Sequence, residues 1–103
     1  MSAGRPETNL LVIEGVAGRI AELRYTPAGI PLLSFSLQHV SEQDEADMRR
    51  RVECEVPVIA MGNIANQARQ VQEGNVVRVT GFLAKRSLKS AQLVLHVNKL
   101  EII

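Results

Sequence analysis

The chain has 103 residues, room for one hydrophobic core and not for two. Its 46% apolar content is that of a globular domain, and no stretch approaches the roughly 20 apolar residues that would cross a bilayer as a helix. One cysteine and two histidines distant in sequence exclude an intrachain disulfide framework and a cysteine-based zinc site, so no metal or cofactor is expected.

Met1 to Asn9 is polar, carries Gly4 and Pro6, and lacks the apolar core of a signal peptide. Residues 1–8 are therefore expected to form a flexible tail ahead of a single domain at 9–103, in the cytoplasm. The first strand runs over Leu10 to Ala17, and the apolar pattern resumes at Ile20, Leu23 and Tyr25. Gly15 and Gly18 inside it predict a bulge or sharp bend, as a strand shared by both halves of a small barrel requires. Thr26-Pro27-Ala28-Gly29 is a turn, with φ preset by Pro27 and a positive φ open to Gly29.

The second strand has the cleanest alternation. Leu33, Phe35 and Leu37 predict a buried face, and Ser34, Ser36 and Gln38 a polar one. Ser41 to Arg50 breaks that pattern with four acids followed by Arg49, Arg50 and Arg51, and reads as a long solvated loop. The third strand covers about Arg51 to Met61, with Val52, Cys54, Val56, Val58 and Ala60 as its inward row and Pro57 marking an edge or bulge. Ile64, Ala68 and Val71 fall at helical spacing, so a short helix is predicted over 64–71, capped by Asn63 and stopped at Glu73-Gly74-Asn75. The fourth strand is Val76 to about Lys85. A basic connection, Arg86 to Ala91, leads to a fifth strand over Gln92 to Ile103, whose pattern slips near Lys99 as if at a bulge.

The predicted order is β-β-β-α-β-β, all-β with one short helix, which is that of the OB-fold, a five-stranded Greek-key barrel. In that fold the second and third strands and the loops 1–2 and 4–5 commonly bind oligonucleotides. The fold alone does not decide function, because OB barrels also bind sugars and proteins.

Specific residues add to this. Arg24-Tyr25-Thr26-Pro27-Ala28-Gly29-Ile30-Pro31 followed by Leu32 to His39, then Cys54-Glu55-Val56-Pro57-Val58, Gly81-Phe82-Leu83 and Leu93-Val94-Leu95-His96, resemble the primosomal replication protein N (PriB) family in order and spacing. The resemblance covers nearly the whole chain from Asn9. It implies an OB-fold homodimer related to single-stranded DNA-binding proteins. It further implies action in bacterial replication restart, with single-stranded DNA, the PriA helicase and DnaT as partners. Where better-known members carry loop aromatics, this chain has Met48 and Glu53, it has no Trp, and its 4–5 loop is shorter with fewer lysines.

Binding a single strand needs cations along the phosphates and apolar surface against the bases. Charge is uneven: residues up to Glu73 balance to −3 and those after it to +4. The candidate DNA-binding residues are Arg19 and Arg24 beside the first-strand bend, Tyr25 for stacking, Met48 with Arg49, Arg50 and Arg51 in the second connecting loop, and Lys85, Arg86 and Lys89 in the 4–5 connection. Phe35 is expected in the core, Phe82 is open, and Cys54 is expected to be buried. The acids 42–47 would shield the loop from DNA or face a basic partner.

Two readings stay open. One is a single-stranded DNA-binding accessory protein. The alternative is a dimeric OB-fold protein-interaction module with little DNA affinity of its own. Catalysis would need Cys54 paired with a histidine beside a pocket, and no enzyme is expected. A homodimer is expected from the resemblance and from Val12, Val16 and Ile59, which the barrel core leaves uncovered.

Overall fold

In chain order the elements are β1 (Leu11–Gly18), β2 (Arg24–Tyr25), β3 (Pro31–Glu45), β4 (Met48–Met61), helix α1 (Asn63–Ala68), β5 (Val76–Lys85) and β6 (Leu93–Ile102). The computed structural model describes residues 4–103; part of the predicted tail, residues 1–3, lies outside them. Pro6–Thr8 form a turn of 3-10 helix. The strands neighbour one another as β1-β5-β6-β4-β3-β2, and a further β1–β3 pairing closes the ring. The five long strands make the predicted OB barrel. The two-residue β2, absent from the predicted order, adds to the edge of β3.

Two glycines permit the closure. Leu11 to Val16 pairs with β5, and Val16 to Gly18 pairs with β3, so β1 does serve both halves. A Cβ on Gly15 would lie 2.7 Å from the Gln38 carbonyl oxygen, which is why this crossing takes a residue without a side chain. At the second glycine, Gly81, the β5–β6 register steps from Thr80↔Lys99 to Gly81↔Val97, leaving Asn98 as the extra residue of a bulge. That is the slip read near Lys99. A Cβ on Gly81 would overlap the His96 carbonyl oxygen.

The core follows the alternation. Leu33, Phe35 and Leu37 from β3 meet Val58 and Ala60 from β4, Val77 and Val79 from β5, and Leu95 and Val97 from β6. Ala65 and Ala68 of α1, with Val71 just beyond it, cover one end. The helix is shorter than predicted, and its N-cap is Gly62, with φ 79°, rather than Asn63. Asn75 caps the following turn by accepting the Gln72 N–H at 2.8 Å.

Two expectations are corrected. Residues 41–50 are not a loop: β3 and β4 stay paired from Leu32↔Met61 out to Glu45↔Met48, forming a long two-stranded ribbon. Its turn is Ala46-Asp47, both left-handed at φ 55° and 60°, the twist that suits a two-residue hairpin. The charged run pairs with itself across the ribbon, setting Glu42 opposite Arg51 and Asp44 opposite Arg49, so polarity here marks a strand pair rather than a loop. Cys54 is exposed, not buried. The inward row ends at the barrel wall: Val58 and Ala60 are buried and Val56 partly so, whereas Cys54 lies beyond Leu37, where β3 and β4 have left the core. Pro57 pairs with Ser36 in unbroken register, just before β4 gains β6 as a second neighbour at Val58, the edge-like position its missing N–H demands.

Candidate nucleic-acid interface

Alternation sends Ser34, Ser36 and Gln38 of β3, with their β4 partners Ile59, Pro57 and Glu55, to the face away from the core. Small hydroxyl side chains and a flat apolar pair make this face approachable. Two arginines reach it from different loops. The chain leaves β1 at Gly18, turns through Arg19 at φ 50°, and is laid onto β3 when the Ala21 N–H donates to the Ser34 carbonyl at 2.9 Å. A left-handed arginine costs about 1–2 kcal/mol, strain that a geometric need for this turn must offset. Arg86 follows β5; its N–H donates to the Gln92 carbonyl at 2.9 Å and its Nε to Gln92 Oε1 at 2.8 Å, closing the base of the 86–91 loop. Arg19 and Arg86 line one concavity of about 110 Å³ with Ser34, Ser36, Pro57 and Ile59. None of these four strand residues was singled out as a contact from sequence. Their signal was the polar half of the β3 alternation, which reads equally as plain solvent exposure.

The other candidates fall into three places. Arg24 pairs with Leu32 and so shares the outer face of β3, whereas Tyr25, its neighbour, pairs with Pro31 and alternates to the other side. Both line a separate shallow concavity with Pro27, and Tyr25 is 65% exposed. Lys85 and Lys89 are exposed at the end of β5 and in the 86–91 loop. Met48 and Arg49, Arg50 and Arg51 lie on the ribbon, away from the Arg19–Arg86 concavity.

Electrostatics separates these groups. Every ribbon arginine is paired: Arg49 with Glu42 at 3.0 Å and Asp44 at 3.7 Å, Arg50 with Glu45, and Arg51 with Glu53 at 2.8 Å. Arg19 pairs with Glu55 at 3.4 Å. Arg24, Lys85, Arg86 and Lys89 have no ion pair among the described residues. Across the β1–β5 pairing, Arg78 bonds Glu14 at 2.7 Å, and this hydrogen bond, with the carboxylate charge, raises the guanidinium pKa further.

Cys54 and His39 are direct cross-strand partners. The imidazole bonds elsewhere, Nδ1 with the Glu14 carbonyl at 2.6 Å and Nε2 with Ser41 Oγ at 2.9 Å, rather than with the Cys54 thiol. Phe82 stacks on His96 with ring centroids 5.2 Å apart, on the outside of β5–β6. Among the described residues, no group of three His, Cys, Asp or Glu side chains is placed to hold a metal ion. No helix among them is long and apolar enough to cross a membrane.

Comparison with known proteins gives the family. Residues 9–99 match a family described as another single-strand binding protein family. The chain is 42% identical over 95 residues to the replication restart protein PriB of Nitrosomonas europaea, covering 92% of this chain and 88% of that protein. Escherichia coli O1:K1 PriB is 36% identical over 93% of this chain and 95% of its own. Among solved structures, the protein PriB from Ralstonia solanacearum superposes with a TM-score of 0.82 at 32% identity, covering 91% of this chain and 96% of that one. A deletion mutant of the single-stranded DNA-binding protein from Thermus aquaticus shares the fold, with a TM-score of 0.74 at 20% identity, over 92% of this chain and 50% of its own. An OB barrel, the resembling segments in order and these relatives along nearly the full length place the chain in the PriB family of replication restart proteins.

Proposed function

We propose that this protein binds single-stranded DNA, largely without sequence preference, as an accessory factor of replication restart. The observation that carries the reading is the meeting of Arg19 and Arg86, from two separate loops, over the Ser34, Ser36, Pro57 and Ile59 face of the barrel. Guanidinium groups grip phosphates, and Pro57 with Ile59 offers a base an apolar surface. Arg24, Lys85 and Lys89 extend the cationic track, and Tyr25 contributes at its margin. Arg19 grips phosphate by exchanging Glu55, its partner at 3.4 Å, and Met48 and Arg49 to Arg51 join only when phosphate likewise displaces the carboxylates that hold those arginines. Family membership supports the same role, and supports the PriA helicase and DnaT as protein partners in the cytoplasm.

Binding rather than catalysis is the role we assign, and the engaged His39 imidazole supports it. The working form is a homodimer of one OB domain per chain, residues 9–103. Val16, Val40 and Val76 are exposed around a concavity shared with Glu14 and Gln38, Val12 is exposed two residues before Glu14 on the same strand, and a second copy would cover them. Sedimentation showing only a monomer at micromolar concentration would remove the dimer from this account.

Titration of a labelled oligonucleotide at several salt concentrations tests the central reading. Three to five phosphate contacts give a slope of log K against log salt of about −2 to −3.5. Absence of binding at low salt would refute it and favour the second reading, a protein-interaction module. The observation behind that second reading is the acidic, self-paired ribbon.

A further inference from the structure

The large apolar side chain most open to solvent is not on the barrel. Leu88 is 95% exposed, more than any other large hydrophobic residue among those described. It sits in a basic stretch, Lys85-Arg86-Ser87-Leu88-Lys89, that holds no acid. The loop that carries it is held rather than loose. Arg86 and Gln92 close its base through two hydrogen bonds, the Ser90 N–H donates to the Ser87 carbonyl at 3.2 Å, and the Gln92 N–H donates to Ser90 Oγ at 3.0 Å. Ser87 to Ser90 is thus a hydrogen-bonded turn with Leu88 and Lys89 as its two central residues. The turn stands two residues beyond Arg86, which lines the concavity on the β3–β4 face, so its tip lies within about 8 Å of that arginine along the backbone.

We infer that Leu88 is a strand-contacting residue, placed by this turn so that its side chain packs against a nucleobase or sugar while Lys89 and Arg86 hold the flanking phosphates. This rests on the DNA-binding reading and names a contact within it. Charge and the adjoining concavity, where Arg86 meets Pro57 and Ile59, together favour a single strand as the occupant. An isolated leucine flanked by three cations that form no ion pair among the described residues suits an anionic partner that also presents apolar surface. A single strand does so, because its unpaired bases turn flat faces outward between phosphates. A basic or neutral peptide would meet repulsion or no complement in the same loop.

The test compares Leu88→Ala, Leu88→Trp and Lys89→Ala with the parent protein, titrating a labelled single-stranded oligonucleotide over a series of salt concentrations. Leu88→Ala is expected to bind roughly five- to tenfold more weakly, the equivalent of losing half the burial of a leucine. Its salt slope should match the parent's, because no phosphate contact is lost. Leu88→Trp should bind more tightly than Leu88→Ala, because an indole stacks where a methyl cannot. Lys89→Ala should flatten the slope by about 0.7. Melting curves guard against a fold effect, which a tip residue this exposed is not expected to show. Parental affinity in Leu88→Ala, with the Lys89→Ala slope changed, would overturn the inference and leave the DNA-binding reading standing. A parent protein that binds no oligonucleotide would remove both.

Discussion

The ribbon and the 86–91 loop carry three cations each within a few residues, counting Lys85 with the loop, and the structure treats them in opposite ways. In the ribbon, backbone pairing brings acids opposite or diagonal to Arg49, Arg50 and Arg51, and all three are held in ion pairs. In the loop, Lys85, Arg86 and Lys89 meet no carboxylate among the described residues, and only the Arg86 side chain is held, by the neutral Gln92 amide. A phosphate approaching the loop finds free charge, whereas one approaching the ribbon must compete with a carboxylate already in place. Cation count therefore overstates the ribbon and understates the loop. Exposed pairs of this kind contribute little to stability, about 0–1 kcal/mol each, so their main consequence is for what the arginines can bind.

Replacing Lys85, Arg86 and Lys89 together with Ala should have the largest effect. Loss of three phosphate contacts flattens the salt slope by about 2 and weakens binding about a hundredfold at 0.1 M salt. An unchanged slope in the titration would move the DNA path off this loop. Next in size is the converse experiment on the ribbon. Glu42→Gln, Asp44→Asn and Glu45→Gln combined should free Arg49 and Arg50, steepen the slope by about 1.4 and tighten binding about tenfold. If the triple neutral variant binds no better than the parent, self-pairing does not limit the ribbon.

A smaller effect is expected from Arg49→Ala, Arg50→Ala and Arg51→Ala together, because the parent uses these residues little. The slope should change by less than about 0.7, that of one phosphate. A change as large as that of the loop variant would erase the distinction between the two regions. Smallest is the ribbon turn. Asn-Gly in place of Ala46-Asp47 should relieve left-handed strain of about 1 kcal/mol and slow ribbon amide exchange several-fold, with little change in barrel amides or DNA affinity. Barrel and ribbon amides shifting together would show that the arm and the barrel open as one unit.

Comparing sequence with structure shows where local pattern suffices. Leu33, Phe35 and Leu37 gave themselves away by strict alternation, because a strand with one buried face has no other economical pattern. The step at Lys99 was legible as a bulge for the same reason: a period of two cannot slip without an extra residue, here Asn98. Alternation also misled. Val52, Cys54 and Val56 continue the inward row of β4, yet Cys54 is exposed, because the row outruns the barrel and period alone does not say where the wall ends. Resemblance to a known family supplied the role, while the candidate cations were read from charge and predicted loop position.

By itself, then, the sequence determined the OB order of elements, the core row of the second predicted strand, Gly15 at the β1 crossing and the cationic loop, since each is written in local periodicity, backbone freedom or charge. Tertiary structure alone decided which of those charges are free. Arg49 and Arg50 meet their carboxylates because the β3–β4 hairpin pairs in this register and Arg51 meets Glu53 along its own strand, whereas the loop of Lys85, Arg86 and Lys89 forms no ion pair among the described residues. The same holds for Arg19 and Arg86. They stand 67 positions apart in sequence and come together only because closure of the barrel brings the ends of β1 and β5 over one face of β3 and β4.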